Sequence, residues 1–450
     1  MKNNITMKHV KALLCGLLLQ TGFLHAQSAG KLSLKQCIEY SLQNHPSQRV
    51  YNNEVEVAKS KGTEAVSSYL PQLNGTGTLD DNVKRQVTII PAGAFSPVDI
   101  RVQFGVQYMT NLYAQVDQTI YDQSMINSIK ANKPNMEIAR LQKQKNNDQL
   151  IYNTASAYYQ AMIQQERVKL LAENEAELQE IMSIQQRQYE KGVIKKIDYD
   201  RVKVNYNNTV SQKQVSEMSF QLALNQLKNA MGMPLDQPVM IADSLDYASI
   251  IIKENTVDTD IRNTWDYKIQ TQNIRLQEVD YQRKKASVLP TLSAYGRYGA
   301  QALNNNFADQ YNNWFDYSVI GLKLNVPVFS GLRRYSQIRQ SELNLYSARE
   351  NFKVTTSNLQ LAVLNSNTAL SSSYRTFLSN KENLDLAKNV FDNTSLQYQR
   401  GVAPLSDLLN SEFSYKEAQS NYINSLVNYL LSRMDLERSK GTLSQYLNQL

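Results

Sequence analysis

Catalytic chemistry has few residues to work with in this chain of 450. Of its two cysteines and three histidines, Cys15, His9 and His25 fall within the first 26 residues, which leaves Cys37 and His45 beyond them. One thiol cannot close an internal disulfide, and one imidazole is too little for a zinc site. No glycine loop of the phosphate-cradling kind and no metal-ligand spacing occurs. The reading is therefore no enzyme and no cofactor, with Cys37 and His45 structural. Charge chemistry remains. Asp198 and Asp407 stand six residues after Gly192 and Gly401, in two phrases that match, "YEKGVIKKIDYD" from Tyr189 and "YQRGVAPLSDLL" from Tyr398. A carboxylate so placed has two uses: it favours the first turn of a helix through the dipole, or, where several copies face one opening, it focuses a negative potential that attracts cations.

Those phrases lie 209 residues apart, and the register continues without a gap. Tyr206 meets Tyr415, Leu222 meets Leu431, Leu227 meets Leu436 and Gly232 meets Gly441. The chain reads as two structural repeats. Gly192 and Gly401 end helices in the left-handed conformation that a Cβ disfavours, and Val193 and Val402 beside them are exposed apolar residues. Tyr398 belongs to a row of seven-spaced core positions.

Each repeat orders its elements as helix, strand, loop, strand, long helix, turn and return helix. The first opening helix is expected over about 33–69, interrupted at His45-Pro46, with Ser33 and Gln36 forming a capping box. "YLPQLNGTG" stops it at Pro71, and "VLPTLSAYG" stops its counterpart, which starts near Asp260, at Pro290. After each proline the period changes to two. Val102, Phe104, Val106, Tyr108, Leu112, Ala114 and Val116 alternate with polar residues, as do Ile320, Leu322, Leu324, Val326 and Val328. Alternation of this length predicts strands with one oily and one wet face, in hairpins at about 72–121 and 291–330. Phe307, Tyr311, Trp314, Phe315 and Tyr317 crowd the second hairpin as membrane-interface aromatics would.

Long helices follow, over about 123–188 and from Gly331 to Tyr398, the second free of internal proline and glycine. Ile338, Leu345, Phe352 and Leu359 recur every seven residues. After a four-residue step to Val363 the period resumes through Leu370, Phe377, Leu384, Phe391 and Tyr398, and the return helix carries Leu408, Tyr415, Tyr422, Tyr429 and Leu436. A sustained seven-residue period implies coiled packing. The repeats match in helix length, while their hairpin loops differ by eleven residues. "MGMPLDQPVMIADSLDYASIIIKENTVDTD" reads as a connector with a short strand at Val239–Ile241. The boundaries are therefore 1–26 for a signal peptide, 27–232 for repeat 1 and 233–450 for connector and repeat 2.

The leader has Lys2, Lys8 and Lys11 ahead of a short apolar run that ends at Ala26, the pattern of a cleaved export signal. Without it the formal charge falls from +7 to about +4, with basic residues scattered, so nucleic acid is excluded as a partner. Four strands per chain cannot close a barrel and lipid tolerates no open edge, so a membrane location requires several copies to pool strands. A soluble periplasmic coiled-coil scaffold, or an adaptor without a barrel, is the alternative.

The stretch "LSLKQCIEYSLQNHPS", the pair "YLPQL" and "VLPTL", the join "LNVPVFSGLRR" and the two tip phrases resemble the TolC-type outer-membrane efflux family over essentially the whole chain beyond residue 26. The resemblance implies a mainly α fold with β: a homotrimer with a 12-stranded outer-membrane barrel continuous with a periplasmic α-helical tunnel. The implied role is the exit duct of a tripartite efflux or type I secretion system, sited in the outer membrane and meeting its lipid. A periplasmic adaptor protein and an inner-membrane pump are its implied partners. Gly192, Val193, Gly401 and Val402 become adaptor-docking tips, and Tyr398, Asp407 and Asp198 the tunnel entrance. Two positions depart from the pattern: Asn410 stands where a second entrance aspartate belongs, and Thr119 occupies the place at the first join that Pro327 holds at the second.

Overall fold

The computed structural model describes residues 31–93, 97–242 and 260–448. They divide into two compact units, one of residues up to 41 with 154–254, the other of residues 42–153 with 255–450. The leader, and the connector residues 243–259, lie outside the described residues.

The order opens with α1 (Leu34–Asn44) and α2 (Pro46–Ser67). The expected capping box is present, with the Ser33 N–H donating to Gln36 Oε1 at 2.9 Å and the Gln36 N–H to Ser33 Oγ at 3.3 Å. His45 separates the two helices and caps α2, its Nδ1 accepting the Ser47 N–H at 3.2 Å. Partial burial lowers the imidazole pKa. Next come β1 (Gln72–Asp81), β2 (Val87–Ile90), β3 (Ile100–Gln103) and β4 (Tyr108–Tyr121). The alternation from Val102 to Val116 is thus divided between two strands. Gly105, at φ +91°, turns the chain between them, and β4 begins where Tyr108 meets Asp81, the last residue of β1. Part of the extra length of the first loop is spent on the β2–β3 ribbon.

α3 (Gln123–Lys130) and α4 (Asn132–Glu190) replace the single helix expected there. Pro134 has no N–H to give the Lys130 carbonyl, so the ladder breaks at Ala131. α5 (Lys196–Met231) returns from the first tip. In the first unit, Ile241 bridges Leu32 in parallel, with the Leu32 N–H donating to the Met240 carbonyl at 2.8 Å. The expected strand is reduced to that bridge. Nearby the Cys37 thiol is fully buried, which pushes its pKa up to about 12.

α6 (Trp265–Ala286) starts at the Thr264 cap, five residues later than expected at its earliest, and has the same 22-residue length as α2. It leads into β5 (Thr291–Asn304) and β6 (Trp314–Asn325). β6 stops short of Val328 because its partner strand begins only at Thr291, opposite Asn325, and Pro327 offers no N–H. α7 (Arg333–Gln399) runs 67 residues, about 100 Å at 1.5 Å per residue. α8 (Leu405–Lys440) returns along it, and α9 (Leu443–Asn448) ends the described chain. The seven-spaced rows meet as antiparallel neighbours. Phe391 stacks on Tyr415 at 5.6 Å, Phe377 reaches Tyr422 and Tyr429 at 5.7 Å each, and Val363 clusters with Leu436 and Ile261.

Candidate functional site

β1, β4, β5 and β6 form one antiparallel sheet in the order β1-β4-β5-β6, so β1 and β6 are its unpaired edges among the described residues. Opposite residues share a face. One face gathers Leu73, Leu79, Leu112, Val116, Leu292, Ile320, Leu322 and Leu324; the other gathers Gln72, Asn74, Thr76, Asn111, Gln115, Asp117, Arg297 and Lys323. The apolar face is not buried: β1 is exposed along its whole length, and Ile320 is 92% exposed. On the polar face Arg297 lies 4.4 Å from the Tyr113 ring and donates to Gln115 Oε1, while Gln115 donates to Asp117 at 2.8 Å.

The aromatics divide between these faces. Tyr108, Phe307, Tyr311 and Trp314 touch edge to edge or at a tilt, with centroids 5.4–6.2 Å apart. Phe315 and Tyr317 fall on the polar side, where the Tyr317 hydroxyl donates to Asn111 Oδ1 at 2.9 Å. Five aromatics in one interface band was therefore too many, because the two-residue period sends Phe315 and Tyr317 the other way.

Each tip turn has the same construction. Gly192, at φ +72°, donates its N–H to the Tyr189 carbonyl at 2.8 Å, and Val193 donates to Gln188 at 2.9 Å. Gly401, at φ +73°, donates to Tyr398 at 2.9 Å, and Val402 to Gln397 at 2.9 Å. These paired bonds tie off the last free carbonyls of a helix, and the positive φ selects glycine. The valines that follow point outward, 70% and 75% exposed. Tyr398 is half-buried, with its carbonyl engaged by the turn. In the first hairpin the Tyr189 ring stacks on Tyr199 at 6.1 Å.

The profile of the family described as "Outer membrane efflux protein" matches residues 37–233 and 268–442. The chain belongs to the outer membrane efflux protein family. The alkaline protease secretion protein AprF of Pseudomonas aeruginosa is 21% identical over 314 residues, covering 66% of this chain and 62% of AprF. The aligned part thus spans about three fifths of AprF. Outer membrane protein TolC of Escherichia coli is 21% identical over 456 residues, covering 98% of this chain and 87% of TolC. A solved structure of CusC, a transmembrane channel, superposes with a TM-score of 0.74 at 14% identity, over 91% of this chain and 92% of CusC. Long helices joined to a small antiparallel sheet are the TolC-type fold, and the place of this chain is the outer membrane.

Within this efflux-family fold, the two aspartates do not cap their helices. Asp198 and Asp407 are third in α5 and α8, whose cap positions are Lys195 and Pro404. A third-position carboxylate closes a capping box by accepting the cap residue's N–H, and Pro404 has none. Asp407 is exposed and accepts the Ser406 hydroxyl at 3.2 Å; Asp198 is half-buried. The dipole and the charge remain as their uses. Sequence reading missed the ion pairs of α8 in which partly buried cations meet buried carboxylates, Lys416 with Glu412 at 2.5 Å and Arg433 with Glu437 at 2.7 Å. Their four-residue spacing was the available signal. No helix among the described residues is long and apolar enough to cross a membrane.

Proposed function

We propose that the protein is the outer-membrane exit duct of a tripartite efflux or type I secretion assembly, acting without catalysis. The observation that carries this reading is the four-stranded sheet, with one exposed apolar face, one polar face and two unpaired edges. Lipid requires every backbone group to be paired, so β6 of one copy completes itself on β1 of the next. Three copies supply twelve strands, within the size range of outer-membrane barrels. The apolar face then meets lipid and the polar face lines the lumen.

Two helical hairpins per copy, from two repeats, give a ring of six around a tunnel. Its tips at Gly192–Val193 and Gly401–Val402 dock a periplasmic adaptor that links to an inner-membrane pump. The exposed valines and the matched turn geometry support that docking role. Tyr398, Asp198 and Asp407 stand at the entrance, and residues 1–26 export the chain. AprF is named for protease secretion, which supports the type I branch of the reading. Native mass spectrometry of detergent-extracted protein is expected to give three copies. A stable monomer in buffer without detergent overturns the proposal.

A further inference from the structure

The apolar alternation of β6 does not stop where the strand stops. Ile320, Leu322 and Leu324 share the apolar face, and the two-residue spacing continues through Val326 to Val328, which is 91% exposed. Phe329 follows at 85%, then Leu332 at 70% and Tyr335 at 71%. Leu332 holds φ +62°, the left-handed region that suits glycine or asparagine and disfavours a leucine. The Leu332 side chain at this position is exposed, not packed in a core. Between these residues stand Arg333, exposed, and Arg334, half-buried, neither in an ion pair among the described residues. Their charge does not suit the amino end of α7, which favours negative charge.

We propose that this join, Val328–Tyr335, is a membrane-interface anchor in which the apolar side chains enter the lipid and Arg333 and Arg334 bind the phosphates of anionic phospholipid headgroups. The proposal rests on the barrel reading above. Lipid fits better than a second copy for two reasons. The join continues the outward apolar face, whereas strand pairing between copies uses the backbone edge. Two unpaired guanidiniums beside apolar and aromatic side chains also match the boundary between headgroup and acyl chain, where arginine snorkels and tyrosine is enriched.

The test is site-directed spin labelling of Val328→Cys and, separately, Ile320→Cys, each in a Cys37→Ser background and reconstituted in phosphatidylcholine vesicles with phosphatidylglycerol. Relaxation by oxygen reports lipid, and relaxation by a water-soluble nickel chelate reports water. Oxygen access at both positions supports the anchor. Oxygen access at Ile320 with Val328 shielded from both reagents means a second copy covers the join, and overturns the anchor alone; so does nickel access at Val328. Nickel access at Ile320 takes the barrel reading down with it. In parallel, native mass spectrometry compares phosphatidylglycerol retained by wild type and by the double variant Arg333→Gln, Arg334→Gln. A loss of preference over phosphatidylcholine on the order of tenfold is expected; equal retention removes the arginines from the anchor.

Discussion

Trp265 donates its indole N–H to the carboxylate of Asp148 at 2.6 Å, and that carboxylate is buried. Burial pushes the Asp148 carboxyl above its ordinary 3.8, against smaller opposing pulls from the indole bond, Arg438 and Lys268. A raised acid binds its proton more tightly in the folded chain, so this group favours folding at low pH. That contribution is lost as pH climbs from about 3.8 through the raised value, and is flat above it. Asp148→Asn keeps an acceptor for the indole and removes the titration. Thermal unfolding in detergent is expected to show a shallower decline across that window in Asp148→Asn than in wild type. Trp265→Phe leaves the carboxylate without its donor and is expected to cost about 1–3 kcal/mol.

At the tips, a Cβ added to Gly192 or Gly401 meets nothing within 4 Å, so substitution there costs backbone conformation alone. Gly401→Asn is expected to be mild, because asparagine tolerates the left-handed region, and Gly401→Val to cost about 1–2 kcal/mol. Denaturation midpoints of the two variants check this ordering.

Docking is separable from folding at the next residue. Val402→Asp keeps the turn and places a charge on an exposed apolar side chain that the proposal assigns to docking. Oligomers of normal stability with weakened adaptor crosslinking and export are expected. Unchanged crosslinking in cells would leave Val402 a bystander.

Asp407→Asn removes charge and no cap, since Pro404 holds the cap position. Its stability cost is expected within about 0.3–1 kcal/mol, the dipole contribution. In planar bilayers, block by multivalent cations from the periplasmic side is expected to weaken. The effect is expected to be modest, because Asn410, three residues after Asp407, adds no second charge to the proposed entrance. Asp198→Asn, measured alongside, reports the other hairpin.

Phe377 lies between Tyr422 and Tyr429, 3% exposed. Phe377→Ala is expected to cost about 3–5 kcal/mol of stability, read by chemical denaturation. Leu386→Ala, on the exposed side of the same helix, is expected to be near neutral.

Local chemistry in the sequence determined the elements and their faces. Period two sorts Ile320 from Lys323, period seven sorts Phe377 and Phe391 inward, and glycine before an exposed valine marks each turn, because each pattern is the repeat of one element's own geometry. The helix break at Ala131 was legible too, through Pro134, which has no N–H to give the Lys130 carbonyl. Tertiary structure decided what depends on residues distant in sequence. Strand β4 begins at Tyr108 rather than Val102 because Asp81 is the last partner available, and the β2–β3 ribbon forms because the first loop folds on itself. Phe315 and Tyr317 turn to the polar face by a register that only pairing with β5 sets. Asp148 and Trp265 stand 117 positions apart, and no local period could have joined them. Alternation and heptads say which side of an element is apolar; only the packed chain says what each side meets.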